Sequence, residues 1–196
     1  GITNALNHLD VMDGLAGAAA AIISLAFVFL SVLSGDIKII ILTLSLAGAI
    51  CSFLIYNLPP AKIYMGNSGS HLLGFVLASI ALLISYAPME RKIALLSPIL
   101  ILGLPIFDTA FLILMRVKKE KSIFKKSNDH LALRFLKKGY SKYKTLFIML
   151  SFGLLCSLSG ILLTQVSFFS ALIIIASVAL VGLVIAKNMS KVAIND

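Results

Sequence analysis

Six apolar runs, at residues 15–33, 37–56, 71–86, 93–115, 146–163 and 168–186, dictate what this chain can become. Each is close to the about 20 mainly apolar residues a helix needs to cross a bilayer. In lipid the backbone finds its hydrogen-bond partners inside a helix or a closed barrel. The runs lack the alternation of barrel strands, which leaves helices. The expected fold is all-α: a polytopic membrane bundle of about six transmembrane helices, with residues 1–196 as one domain. Apolar residues make up 60 % of the chain and charged residues 13 %, so no stretch reads as a separate soluble domain.

The net charge of +9 comes from 17 basic and 8 acidic residues. A balance like this suits a nucleic-acid partner, but its placement favours the positive-inside rule instead. With Gly1 in the cytoplasm, 14 basic residues fall inside: Lys62, those of residues 116–144, Lys187 and Lys191. Only Lys38, Arg91 and Lys92 fall outside. Both chain ends are therefore expected in the cytoplasm, with no nucleic acid among the partners. Cys51 and Cys156 sit within runs and read as small packing residues. The chain opens on Gly1 rather than Met and reads as a truncated one.

Three polar segments then share the cytoplasmic side: residues 1–14, 57–70 and 116–144. In the first, Asn4, Asn7, Asp10 and Asp13 recur every third residue. On a helix they occupy one broad face. Carboxylates at a membrane edge point to function unless they merely favour a helix start. In the second, Pro59 and Pro60 stop a helix, and Gly66-Asn67-Ser68-Gly69-Ser70 precedes the next span. Ser68 or Ser70 is expected to cap that span, whose positive end attracts phosphate.

The third segment holds 11 of the 17 basic residues, Lys125 and Lys126 among them. Residues 127–129 read as a helix start and Gly139 as its end. Between them His130, Arg134 and Lys137 share one face, with Leu131, Ala132, Phe135 and Leu136 opposite. Such a helix suits the membrane surface with its basic face towards phosphates; a plain topology determinant fits the lysines equally. Asp108 lies inside the fourth run, about 12 Å of helix below Arg116. It reads either as a functional ionisable group or as an interhelix hydrogen bond, and Pro105 nearby loosens backbone carbonyls.

These residues resemble the motifs of the polyprenyl-phosphate N-acetylhexosamine-1-phosphate transferases, which include the phospho-MurNAc-pentapeptide translocase. Asn4-Ala5-Leu6-Asn7-His8-Leu9-Asp10-Val11-Met12-Asp13-Gly14-Leu15 is similar to Asn-Ala-x-Asn-x-x-Asp-Gly-x-Asp-Gly-Leu. Pro60-Ala61-Lys62-Ile63-Tyr64-Met65-Gly66-Asn67-Ser68-Gly69-Ser70 is similar to Pro-Ala-Lys-x-Phe-Met-Gly-Asp-x-Gly-Ser. Pro105-Ile106-Phe107-Asp108-Thr109 resembles Pro-x-x-Asp-Thr, and Asp129-His130-Leu131 the start of a His-rich motif.

The resemblance implies transfer of a sugar-1-phosphate from a UDP-sugar to undecaprenyl or another polyprenyl phosphate, with release of UMP. It implies Mg2+ (or Mn2+) on Asn7, Asp10 and Asn67. It makes Asp10, Asp13 and His130 the catalytic residues, and Asn4, Lys62, Ser68, Arg134, Lys125, Lys126 and Asp108 substrate-binding. The partners are then a UDP-sugar, the lipid phosphate and the membrane, with room for a homodimer. The setting is the inner cell membrane with a cytoplasmic active face. Val11 stands where the family has Gly, Asn67 where it has Asp, and Ala132 and Leu133 where it has further histidines. The family's Asp-Asp motif belongs to an N-terminal half outside this sequence. A transporter and a degenerate, lipid-diphosphate-binding homologue are the competing readings.

Overall fold

The computed structural model of the chain describes residues 1–86, 92–120, 122 and 129–192. Its elements are α1 (Ile2–Leu9), α2 (Leu15–Ser34), α3 (Ile37–Asn57), α4 (Gly66–Leu83), a 3-10 turn (Lys92–Leu96), α5 (Ser97–Ile101), α6 (Gly103–Lys118), α7 (Leu131–Lys137), α8 (Lys142–Leu163) and α9 (Phe168–Ser190). Among the described residues the regular structure is entirely helical, as the apolar runs require.

Helices α2, α3, α4, α8 and α9 are each long and apolar enough to cross a membrane. The fourth run, residues 93–115, is not one straight span. Lys92–Ile101 and Gly103–Lys118 meet at a 72° bend. The break falls at Leu102, three residues before the proline that suggested it. Pro105 sits in the first turn of α6, where a missing N–H costs little.

The most buried span is α2, and its composition explains why. Ala16, Gly17, Ala19, Ala20 and Ala21 let neighbouring backbones come close. A Cβ on Gly17 would meet Leu54 of α3 at 2.9 Å. Ser24 donates to the Thr43 carbonyl at 3.4 Å, and Ser31 meets the Thr43 hydroxyl at 3.2 Å. These bonds hold α2 on α3 where the surroundings are apolar. On the other side, Gly160 of α8 lies against α5, and Ser97 Oγ donates to the Gly160 carbonyl at 2.6 Å. The bent pair is thereby fixed to a straight span.

The opening residues were expected to lie outside the bilayer, ahead of the first span. They form α1, which packs between α4 and α6. A Cβ on Gly74 would meet Thr3 Cα at 2.8 Å, while Asn7 bonds Ser70 one turn nearer the start of α4. So α1 runs antiparallel to α4, and its first turn lies about 12 Å along α4 from Gly66.

All the polar segments meet at one end of the bundle. Tyr143 at the start of α8 donates to the Pro59 carbonyl at 2.8 Å, and Arg134 of α7 reaches the end of α9. At the far end Leu30, Ser34, Tyr86, Thr164 and Gln165 line a common cleft.

Candidate functional site

The site is built where α1 ends, α4 begins and α7 begins. The helix α1 stops at Leu9 with Asp10 as its C-cap, and Gly14 follows in a left-handed conformation, φ 76°. The four-residue face expected from the spacing therefore does not form. Asn4 and Asn7 lie on the helix, while Asp10 and Asp13 lie in the turn after it. Gly14 is required there twice over, by its φ and by Leu58, 3.0 Å from where a Cβ would stand.

Asn57 ties that turn to the next loop. It is buried, its Oδ1 accepts from Gly14 N at 3.2 Å, and its Nδ2 donates to the Ile63 carbonyl at 2.9 Å. As the first residue of the polar segment 57–70, it did not stand out from sequence alone. Lys62 is exposed on this loop.

The N-cap of α4 is Met65, not Ser68 or Ser70. Asn67, Ser68 and Ser70 belong to the first turns. Asn7 Nδ2 donates to Asn67 Oδ1 at 3.1 Å and to Ser70 Oγ at 2.9 Å. Ser70 donates to the Gly66 carbonyl in turn. Two motifs that are 60 residues apart in the chain thus share one hydrogen-bond network. Ser68 is exposed beside it, as is Asn4.

From the third side comes His130. It is only 4 % exposed and serves as the N-cap of α7, two residues later than the expected helix start; residues 127 and 128 lie outside the described ones. Asp108, fully buried, receives it. Its Oδ2 lies 2.9 Å from His130 Nδ1, and its Oδ1 accepts from Leu131 N at 2.9 Å. A carboxylate accepts, so Nδ1 carries the proton and Nε2 is left free. Both oxygens of Asp108 are thus engaged at the start of α7.

Arg134 needs a correction. Expected on an exposed basic face, it is fully buried and held over the Phe111 ring, 5.4 Å from its centroid. Its guanidinium donates to Asp129 and to the Met189 and Val192 carbonyls. It closes the end of α9 onto α7. Leu131, Ala132 and Phe135 of α7 pack into the protein with it. A guanidinium with five donors fits three separate acceptors, which makes Arg134 a strut. Burial pushes the Asp129 carboxyl up, but the Lys119 and Arg134 bonds and charges outweigh it, leaving it below the usual range. Lys125 and Lys126 lie outside the described residues.

Asp13 pairs with Lys142 Nζ at 3.1 Å, both partly exposed. Lys142 was one lysine among many in the sequence; the fold places it at the site. His8, on the last turn of α1, has its ring 5.9 Å from that of His130. Burial lowers its pKa first and the neighbouring His130 next, with Asp108 acting in the opposite sense. His71 Nδ1 lies 2.6 Å from the Asn67 carbonyl. Neither histidine stood out from the sequence, although the chain holds only 3 and all of them come to this end.

Asp10 is half-buried, and burial raises its pKa above the usual carboxylate range. Among the described residues it has no ion-pair partner. Its cost of burial falls if a cation binds. Asn7 and Asn67 add amide oxygens, and Asn67 Oδ1 keeps a lone pair beyond the one used by Asn7. A carboxylate and neutral amide oxygens are the donor chemistry a hard divalent cation takes.

Residues 1–85 match the family model described as glycosyl transferase family 4. The chain is 37 % identical to a probable undecaprenyl-phosphate N-acetylglucosaminyl 1-phosphate transferase of Bacillus subtilis, over 89 % of this chain and 49 % of that protein. It is 34 % identical to the undecaprenyl-phosphate alpha-N-acetylglucosaminyl 1-phosphate transferase of Thermotoga maritima, over 82 % of this chain and 48 % of that one. It is 32 % identical to a phospho-N-acetylmuramoyl-pentapeptide-transferase of Bacillus pumilus, over 82 % and 48 %. The chain spans about half the length of these curated relatives. With several apolar helices of membrane-spanning length and relatives of this kind, it is part of a multi-pass membrane protein, and it belongs to glycosyl transferase family 4.

Proposed function

We propose that the protein containing this chain transfers N-acetylhexosamine-1-phosphate from a UDP-sugar to undecaprenyl or another polyprenyl phosphate. The bundle end that carries Asn7, Asn67 and His130 then faces the cytoplasm of the inner cell membrane. The observation that supports this best is the convergence of three distant segments. The Asn7–Asn67–Ser70 network and the Asp108–His130 pair meet at one mouth, bridged by the 5.9 Å approach of His8 to His130.

The lipid phosphate monoester enters with one oxygen protonated. His130 Nε2, left free by the Nδ1 bond to Asp108, takes that proton. The oxygen then attacks the β-phosphorus of the UDP-sugar. The bond from that phosphorus to the bridging oxygen breaks, and UMP leaves with the electron pair. A divalent cation, Mg2+ or Mn2+, held by Asp10, Asn7 and Asn67, would neutralise phosphate charge. The first-turn amides of α4 add partial positive charge on the same side. Lys142, now on Asp13, and exposed Lys62 would exchange carboxylate or water for phosphate.

The test is transfer of labelled sugar phosphate to undecaprenyl phosphate in membranes carrying the complete gene product. UDP-N-acetylglucosamine and UDP-N-acetylmuramoyl-pentapeptide are offered separately. Labelled lipid diphosphate with release of UMP is expected from one of them. Binding of undecaprenyl phosphate without turnover of either nucleotide would sink the transferase reading in favour of a lipid-binding one.

A further inference from the structure

The three histidines of the chain come from three helices, α1, α4 and α7, to one mouth, and two of them have their Nδ1 atoms occupied. His130 spends Nδ1 on Asp108, and His71 spends it on the Asn67 carbonyl. His8 is bonded through neither ring nitrogen among the described residues, and its ring is half-exposed. It shares a helix face with Asn4, four residues earlier, while Ala5, Leu6 and Leu9 of α1 turn into the core. The ring is therefore presented to the mouth and not to the packing. Its ring neighbour there is that of His130, at 5.9 Å and a 37° tilt, and Asp108 and His71 are near enough to act on its charge. Leucine would pack as well against that ring, so packing does not account for an imidazole. An imidazole always carries at least one N–H, whatever its charge.

We propose that His8 is a phosphate-binding residue of the transfer site, donating a ring N–H to a phosphate oxygen held between α1 and α7. The inference rests on the transferase reading and extends it to a residue outside the motif positions that carried that reading. The ligand chemistry is a phosphate oxygen, which either the UDP-sugar diphosphate or the lipid phosphate can supply. A donor on this side would orient the phosphate towards His130 Nε2 without taking the proton itself.

Two substitutions separate donation from shape. His8→Leu keeps most of the volume and removes the N–H. His8→Gln keeps an N–H donor. In membranes with UDP-N-acetylglucosamine and undecaprenyl phosphate, His8→Leu should raise the KM of one substrate about tenfold to a hundredfold, the scale of a lost bond to a charged group. His8→Gln should return that KM to within about threefold of wild type, because its amide donates in the same place. A rise for the nucleotide sugar assigns the phosphate to the donor, and a rise for the lipid assigns it to the acceptor. Unchanged KM for both substrates in His8→Leu overturns the proposal, as does equal damage by leucine and glutamine. A second readout does not need turnover. Diethylpyrocarbonate should modify His8, and inorganic pyrophosphate should block that modification. Labelling of His8 that saturating pyrophosphate leaves unchanged also overturns it. If wild type transfers nothing, the transferase reading fails on its own, and pyrophosphate protection still decides the role of His8.

Discussion

Asp108 binds His130 with one carboxylate oxygen and caps the very next amide, that of Leu131, with the other, both at 2.9 Å. A single carboxylate in α6 therefore sets both the ring of His130 and the start of α7.

Asp108→Asn tests that coupling. An asparagine side chain has one oxygen to accept and an NH2 that only donates. If the oxygen stays on Leu131 N, the NH2 faces His130 Nδ1 and forces the proton onto Nε2. The imidazole then keeps its place and loses its free base. Turnover should fall by about a hundredfold or more, the scale of a lost general base, with KM little changed. Asp108→Leu should in addition destabilise the protein by about 1–3 kcal/mol for each buried donor left without an acceptor. Thermal unfolding of the solubilised protein measures the difference between the two variants.

Arg134→Met separates a strut from a substrate contact. Removing the guanidinium takes one charge partner from buried Asp129 and frees the end of α9. A loss of about 3–5 kcal/mol is expected, as for one partner removed from a buried pair. Arg134→Lys should not restore it, since one ammonium cannot span acceptors on Asp129, Met189 and Val192. The folded fraction should keep the wild-type KM for both substrates. The Asp129 carboxyl lies below its unfolded value of about 3.9. Its contribution is thus complete above that value and is lost as pH falls through the lower, folded one. An acid unfolding midpoint that moves with Arg134→Met would register this.

Asp10→Asn should make the protein more stable and inactive. The folded pKa of Asp10 is raised, and burial is the cause. A raised carboxyl disfavours the fold at neutral pH and ceases to do so as pH falls below the folded value. The amide removes that cost. A Tm above wild type at pH 7, converging with it in acid, is the expected pattern. Mg2+ should raise the Tm of wild type and not that of Asp10→Asn. A variant less stable than wild type at pH 7 would contradict the sign.

Orientation can be checked at the two ends of the bundle. Ser68→Cys at the start of α4 should react only with reagents that reach the cytoplasm. Gln165→Cys, between α8 and α9, should react from outside. Both positions are exposed in the fold. Reaction of both from one side would break the assignment of the site to the cytoplasmic face.

Periodicity and hydropathy made the spans legible, because a bilayer sets their length and leaves few alternatives. The bend at Leu102 was not legible to the residue, since Pro105 could equally mark a kink or sit harmlessly in a first turn. The every-third spacing of Asn4, Asn7, Asp10 and Asp13 suggested one helix face, but Gly14 and the buried Asn57 turn the chain at Asp10. Arg134 followed the amphipathic pattern and yet went inside. Its acceptors at Met189 and Val192 lie more than 50 residues away, and nothing local announces them. Asp108 and His130 were each visible as unusual residues. Their pairing, 22 residues apart across a helix and a loop, required the fold.

Asn67 gives the sharpest test of the cation-binding proposal. Its Oδ1 accepts from Asn7 Nδ2 at 3.1 Å, and it stands exposed in the first turn of α4. Aspartate there would still accept from Asn7, add a negative charge near the helix start, where the dipole favours it, and bind a hard cation more strongly. Asn67→Asp should therefore keep activity and lower the Mg2+ concentration needed for half-maximal rate. Asn67→Leu should abolish turnover while leaving membrane insertion intact, because this turn lies at the polar end of the bundle. If Asn67 only shapes the turn, Asn67→Gly is harmless and Mg2+ dependence stays fixed throughout. Titrating Mg2+ against rate for Asn67→Asp, Asn67→Gly and Asn67→Leu decides between these, and an unmoved half-maximal concentration in Asn67→Asp would rule out Asn67 as a ligand.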